Sequence, residues 1–319
     1  MEQLAPAPPR APGSRAASAV RPGRARRRRA GRHNRYGYAF FAPFLLVFLF
    51  AIVAPLLYAV YLSLYQQRLV GGNVFVGLAN YTRALGDPLF HAGLTRVAVF
   101  FVVQVPVMLG LALLAALAID SGRLRWKGLF RIGIFIPYAV PAVVASLMWG
   151  YLYGPEFGLV HQVGRALGLG LPDLLDPSWI LASVGNVVTW EFVGYNMLIL
   201  YAALRAIPTE LYEAASVDGA GEVRKAVSIK IPALRPALLL TAVFSVIGSF
   251  QLFNEPNVLQ TLAPGVITTY YTPNMYAFNL AFNGQEYNYA AAVAVVLGAA
   301  TAIVAYAVQL RSFREERDR

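Results

Sequence analysis

The sequence predicts an all-α membrane protein, with six transmembrane helices and a cytoplasmic two-helix loop between the fourth and fifth. Three observations carry that expectation. Of 319 residues, 58% are hydrophobic and only 13% are charged, too little charge to cover a soluble protein of this length. Several apolar stretches reach the roughly 20 residues that cross a hydrocarbon core about 30 Å thick. Lysine and arginine also fall very unevenly between alternate connecting segments, as orientation in a bilayer requires.

The first span is expected from Tyr38 to Tyr65, with Pro43 and Pro55 inside it, and the second from Leu94 to Ile119. The third runs from Ile132 to Tyr153, with Pro137 and Pro141 near its start, and the fourth from Trp179 to Leu204. The fifth covers Pro236 to Phe253 and the sixth Tyr289 to Leu310. Proline in a spanning helix frees backbone carbonyls, which is tolerable only where protein or a cavity satisfies them. Ala290, Ala291, Ala292, Ala294, Gly298, Ala299 and Ala300 give the sixth span the small side chains of a closely packed helix. Neither an inverted repeat nor a broken midplane helix is discernible, and either would favour an ion-coupled carrier.

With the amino terminus inside, the inner segments hold 23 of the 27 basic residues. The outer segments hold only Arg68, Arg83, Arg96 and Arg165, and the stretch from Gln251 to Asn288 holds none. Both termini are therefore expected in the cytoplasm. Ten of the basic residues lie in a Pro/Ala/Arg-rich tail over 1–35, expected to be disordered because it has almost nothing apolar to bury. That tail reads as an orientation determinant rather than a nucleic-acid or anionic-lipid arm, and it is too long and Arg-dense for a usual signal peptide. A transmembrane domain follows over 36–311, with its cytoplasmic loop over 205–235, then a short cytoplasmic tail over 312–319.

Several chemistries are excluded. The chain has no cysteine, so disulfides, thiol catalysis and Cys-ligated zinc are absent. His33, His91 and His161 are scattered through the tail and loops, which argues against a metal site. No glycine-rich phosphate loop is present, so the chain does not hydrolyse nucleotide itself. No cofactor is expected. Glu191 and Glu255 are two carboxylates without a serine–histidine or metal constellation around them, which makes a hydrolase an unattractive reading.

The 205–235 loop has a legible local grammar. Pro208 can open a helix because its missing N–H would be unpaired there, and Glu210 and Glu213 then lie near the positive helix end. Gly219 can adopt the left-handed conformation that ends a helix. A second helical stretch is expected over Glu222 to Lys230, stopped by Pro232. Ala214, Ala215 and Ala220 leave so little bulk that a partner surface could approach the backbone. On these residues alone, a loop that merely links two spans remains an open reading.

The segment "IPTELYEAASVDGAGEVRKAVSIKIPALRP", Ile207 to Pro236, resembles the EAA loop of permease subunits in binding-protein-dependent ABC importers. Glu213-Ala214-Ala215, Asp218-Gly219-Ala220 and Ile229-Lys230-Ile231-Pro232 match that motif in register. Val223 and Ala226 stand where aromatic residues are common in the family. "FVGLANY" (Phe75 to Tyr81), "IPYAVPAVVASLMWGYLY" (Ile136 to Tyr153) and "GSFQLFNEPNVL" (Gly248 to Leu259) are similar to the carbohydrate-uptake branch, which includes the maltose and glycerol-phosphate permeases. The resemblance implies that the loop is a coupling helix seated in a cleft of an ATPase, with Glu213 as its charged anchor and Gly219 as its bend. It also implies a second permease subunit of similar fold, two cytoplasmic ATP-binding subunits and an extracellular or periplasmic solute-binding protein. The location would be the cell (inner) membrane, with the lipid bilayer as surroundings and no nucleic-acid partner. An ion-coupled secondary transporter and an ABC permease for a non-sugar solute are the alternatives.

Polar residues inside a bilayer are costly and therefore candidates for function. Trp190, Glu191 and Tyr195 on the fourth span, and Ser249, Gln251, Asn254 and Glu255 on or just beyond the fifth, form the expected solute site. Aromatic faces beside amides and carboxylates suit a sugar ring, which stacks on one side and hydrogen-bonds at its edge. Counting back from Pro208, Trp190 and Tyr195 match the sugar-site positions of the resembling maltose permease, whereas Glu191 matches an apolar family position and signals a different sugar. Two bland roles compete: Trp190 as an interfacial anchor and Ser249 as helix glue. Glu255 reads as close to the outer boundary.

Overall fold

The computed structural model describes residues 33–68, 70–122 and 124–317. The basic tail expected over 1–35 falls outside them up to residue 32, and helix is present from His33. The chain divides after Ala54 into two compact units. In the first, α1 (His33–Phe48) contains Pro43 and is followed by a π-helical turn over Leu49–Val53, closed by the Ala54 N–H on the Leu49 carbonyl.

The second unit holds everything after Ala54. Helix α2 (Ala54–Ser63) leads into an antiparallel hairpin of β1 (Tyr65–Arg68) and β2 (Gly72–Phe75), with Tyr65 opposite Phe75. Helix α3 (Ala79–Leu85) then precedes α4 (Pro88–Asp120). Asp87 caps α4 by accepting the Leu89 N–H, and Pro88 occupies the first helical position, where no N–H is needed. The Asp87 carboxylate also accepts the Tyr276 and Tyr289 hydroxyls at 2.5 and 2.6 Å. Burial by itself would raise that carboxyl, but the two hydroxyls and the Leu89 and Phe90 N–H groups hold it below the usual carboxylate range. Burial and the same carboxylate push the Tyr276 hydroxyl up to about 12.

The third span departs from expectation. Instead of one helix over Ile132–Tyr153, the chain forms α5 (Lys127–Phe135), a 3-10 turn over Ile136–Ala139 and α6 (Ala142–Tyr153), with a bend of 99° between the halves. Pro137 cannot donate the bond that would continue α5, and Pro141 forces Val140 into the extended conformation (ψ 128°) before helix resumes. A broken helix is therefore present where none was legible.

Helices α7 (Leu159–Ala166) and α8 (Ile180–Arg205) follow, then α9 (Thr209–Val217) and α10 (Glu222–Lys225). Pro232 does not stop the helix as expected. A π-helical turn over Ala226–Lys230 passes into α11 (Ile231–Ala233), with the Ile231 N–H bonded to the Ala226 carbonyl. Proline lacks an N–H and its ring crowds the carbonyl four residues back, so a wider turn lets the helix continue through it. Helices α12 (Arg235–Phe250), α13 (Asn254–Leu259), α14 (Pro273–Phe282) and α15 (Tyr287–Arg317) complete the chain. Helix α15 continues past Leu310, where its membrane-length segment ends.

Among the described residues, five helices are long and apolar enough to cross a membrane, and the bent pair makes a sixth if counted as one span. This is the all-α, multi-span class expected. At one end of the second unit, Ala112, Ala116 and Ile119 of α4 pack on Met197, Leu200 and Leu204 of α8, and the alanines permit close approach. At the other end, Phe100 of α4 meets Ile180 and Val184 of α8 together with Leu252, Leu259, Ile267 and Met275. Gly194 is where α8 receives the broken span, since an added Cβ would collide with the Ile134 carbonyl oxygen. Thr272 caps α14 by accepting the Met275 N–H while its hydroxyl donates to the Leu252 carbonyl at 2.9 Å.

Candidate functional site

Polar side chains expected at the solute site come together around a cavity of about 270 Å³ between α4, α8 and the α12–α13 junction. Tyr195, Ser249, Gln251, Asn254 and Glu255 all line it. The junction explains how. Helix α12 ends at Phe250, the helix is interrupted over Gln251–Phe253, and α13 continues the same membrane-length span, packed against α6 and α8. Glu255, expected near the outer boundary, is thereby buried, with 7% of its surface exposed.

Tyr195 stacks on Tyr138 of the broken span, with ring centroids 4.8 Å apart and planes 19° from parallel. That stack depends on Gly194, whose missing side chain admits the Ile134 backbone one residue away. Ser249 donates its hydroxyl to the Ser245 carbonyl at 2.8 Å, so only its oxygen lone pairs are available to a solute.

Trp190 is not part of the cavity lining; its ring meets Trp149 of α6 edge-on at 5.9 Å. Glu191 lies behind the lining and is only 3% exposed. Neither carboxyl oxygen has a hydrogen-bond partner among the described residues other than the Glu255 carboxyl. Its strongest charged neighbour is Glu255.

Asn196, a further polar residue of the apolar fourth span, also lines the cavity, and Gln104 and Met108 of α4, Phe192 of α8 and Phe244 of α12 are lining groups that went unselected in the sequence. Gln104 is a lone amide in an apolar span, a signal that amino-acid order alone carries. It reaches Thr189 Oγ1 at 3.3 Å. The Asn196 amide donates to the Phe192 carbonyl at 3.0 Å.

The second candidate region is the loop between α8 and α12. Helix α9 starts after Pro208, and Gly219 has φ +74°, so the chain turns there in the left-handed conformation. Glu213, Ala214, Asp218 and Gly219 are exposed, and Ala215 and Ala220 are half-buried. Glu213 has no hydrogen-bond or ion-pair partner among the described residues. Beside it, Val217 is 88% and Val223 79% exposed.

The opposite side of this loop is anchored. Lys230 Nζ pairs with Asp120 Oδ2 at the end of α4 at 2.7 Å, with side chains 7% and 11% exposed. The same ammonium lies 5.3 Å from the centre of the Tyr212 ring on α9, within cation–π range. Asp120, Lys230 and Tyr212 thus tie both halves of the loop to the base of α4.

Residues 108–315 match the family model described as "Binding-protein-dependent transport system inner membrane component". Among curated relatives, the lactose transport system permease protein LacF of Rhizobium radiobacter is 33% identical over 287 residues, covering 88% of this chain and 95% of that one. The diacetylchitobiose uptake system permease protein NgcF of Streptomyces coelicolor is 32% identical over 310 residues, covering 92% and 86%. The trehalose/maltose transport system permease protein MalF of Thermococcus litoralis is 31% identical over 274 residues, covering 83% and 89%. In fold, the chain is similar to a chain of a bacterial ABC transporter involved in import of the acidic polysaccharide alginate. The TM-score is 0.77 at 18% identity, over 88% of this chain and 96% of that one.

Proposed function

The chain belongs to the family of binding-protein-dependent transport system inner membrane components, and from that premise we propose that it carries a saccharide through the membrane as one permease subunit of an ATP-driven importer. Members of the family are transport components rather than enzymes, and the chain is a multi-pass membrane protein. Its permease relatives are named for lactose, diacetylchitobiose and trehalose/maltose. A cavity combining Tyr195, Phe192 and Phe244 with the amides of Gln104, Gln251 and Asn254 suits such solutes, since aromatic faces cover a ring and amides bond its hydroxyls.

One observation carries the mechanical half of this reading. The Glu213–Val223 segment presents an unpaired carboxylate, a left-handed glycine and two exposed valines on a loop whose other side is fixed to α4. Isolated, such a surface leaves apolar area and a charge without a partner. Seated in a cytoplasmic ATPase, it would pass closure of the ATPase pair to α4 through the Asp120–Lys230 contact. The spans would then tilt to open the cavity outward. Both termini and the loop lie in the cytoplasm in this reading, in the inner membrane of the cell. A second permease, two ATPases and a solute-binding protein complete the assembly; a solved relative of the fold holds a saccharide-bound periplasmic protein. The broken third span is a feature that ion-coupled carriers also use, but membership of a binding-protein-dependent family favours ATP as the energy source.

The test is Glu213→Ala in the assembled importer. Loss of ATPase co-purification and of ATP-driven uptake, at unchanged thermal stability of the chain, is the expected result. Full retention of both, or uptake driven by an ion gradient without ATP, overturns the proposal.

A further inference from the structure

Glu191 and Glu255 form an unusual charge arrangement for a site that handles sugars. Both are buried, at 3% and 7% exposure, and each is the other's charged neighbour. No Lys, Arg or His lines the cavity, and no ion pair reaches either carboxyl among the described residues. Neither Glu191 oxygen has a hydrogen-bond donor other than the Glu255 carboxyl. Two carboxyl groups taken out of water in contact with each other, with no base beside either, form an acidic site without a positive partner. Glu255 places that deficit at the cavity wall, beside Asn254 and Gln251.

We propose that the cavity takes a saccharide bearing a protonated amine, with Glu191 and Glu255 as its counter-charge, and that it rejects saccharides bearing acidic groups. The inference rests on the saccharide-permease reading above and narrows its substrate class. An ammonium on a sugar ring supplies three donors and one positive charge, which gives the carboxyl pair the positive partner that the cavity lining lacks. The aromatic and amide groups of the cavity would hold the rest of the ring. An anionic solute would bring further negative charge into a buried acidic site with no base to receive it, and like-charge juxtaposition is strongly unfavourable.

The experiment is equilibrium binding to the purified full-length chain in lipid nanodiscs at neutral pH. The probes are a β-1,4 glucosamine disaccharide, its N,N′-diacetylated form, maltose and a galacturonate disaccharide. The expected result is at least tenfold tighter binding of the amine disaccharide than of its acetylated form, with the galacturonate disaccharide weakest. In Glu191→Gln/Glu255→Gln the ratio of amine to acetylated binding should fall to near unity, and Glu255→Gln alone should give an intermediate ratio. Equal binding of the amine and acetylated forms by the natural chain overturns the proposal. So does a preference that survives the double substitution, or a failure of the amine disaccharide to bind at all. Failure of the underlying reading looks different: vesicles carrying the assembled importer would take up no saccharide of any charge when given ATP.

Discussion

Breaking the Asp120–Lys230 pair should uncouple the cytoplasmic loop from the spans, and the structure sets the size of the effect. At 2.7 Å, with an effective dielectric of about 20, the Coulomb attraction is about 6 kcal/mol before the cost of desolvation. Both side chains are nearly buried, so much of that attraction offsets the loss of water around each ion. Removing one partner is a different matter, because the other is left buried and unpaired. Lys230→Met should therefore destabilise the chain by about 3–5 kcal/mol, with some of the loss arising from the cation–π contact to Tyr212. Asp120→Leu should cost a similar amount. The double variant Asp120→Leu/Lys230→Met removes both charges together and should recover most of the stability. The assay is chemical unfolding of the purified chain in mild detergent, followed by tryptophan fluorescence, for the natural chain, both single variants and the double. ATP-driven uptake is measured in parallel. If the loop transmits motion through this contact, the double variant regains stability but transports more slowly than the natural chain. A single variant that loses less than about 1 kcal/mol would refute the reasoning, because that is the scale of an exposed pair. A double variant as damaged as either single one would refute it equally.

Other expectations are narrower. Gly194→Ala would drive a Cβ into the Ile134 carbonyl oxygen, a backbone atom that cannot swing away; it should cost about 1–3 kcal/mol or more and lower uptake by disturbing the Tyr138–Tyr195 stack, measured by unfolding and vesicle transport. Thr272→Val should cost about 1–2 kcal/mol in the same unfolding assay, since it removes the α14 cap and the buried bond to the Leu252 carbonyl. Asp87 has a lowered folded-state pKa, so its contribution is present above the unfolded carboxylate pKa of about 3.9 and is lost as pH falls through the lower folded value. Asp87→Asn should cost about 1 kcal/mol at neutral pH, allowing for its partial solvent exposure. It should also flatten the acid limb of stability, measured from about pH 5 down to about pH 2.

How much of the molecule is legible in its sequence depends on whether the signal is local or composite. Spans α4 and α8 declare themselves by length and apolar composition, and the hinge at Gly219 by its place behind Asp218 in a run of small residues. Those features need only the chain's neighbours in sequence: a bilayer selects length and hydrophobicity, and glycine alone adopts a positive φ without penalty. Pro137 and Pro141 are visible too, yet their joint result, a 99° break, is not. A proline bends a helix only as far as the surrounding packing allows, and here that packing is the bare backbone of Gly194. The same holds for Pro232, which a π-helical turn carries through the helix instead of ending it.

The solute site divides along the same line. Composition by itself marks Tyr195, Ser249, Gln251 and Asn254 as polar residues in apolar company, and all four border one cavity. What only the tertiary structure decided is which neighbours they acquire. Trp190 turns to Trp149, outside the lining. Glu255, just past the interruption at Gln251–Phe253, lies buried beside Glu191, 64 positions earlier in the chain. Amino-acid order determines which groups are costly to bury in a membrane, because that cost belongs to the side chain itself. Whether two such groups meet is set by how α8, α12 and α13 pack, and no local pattern encodes that distance.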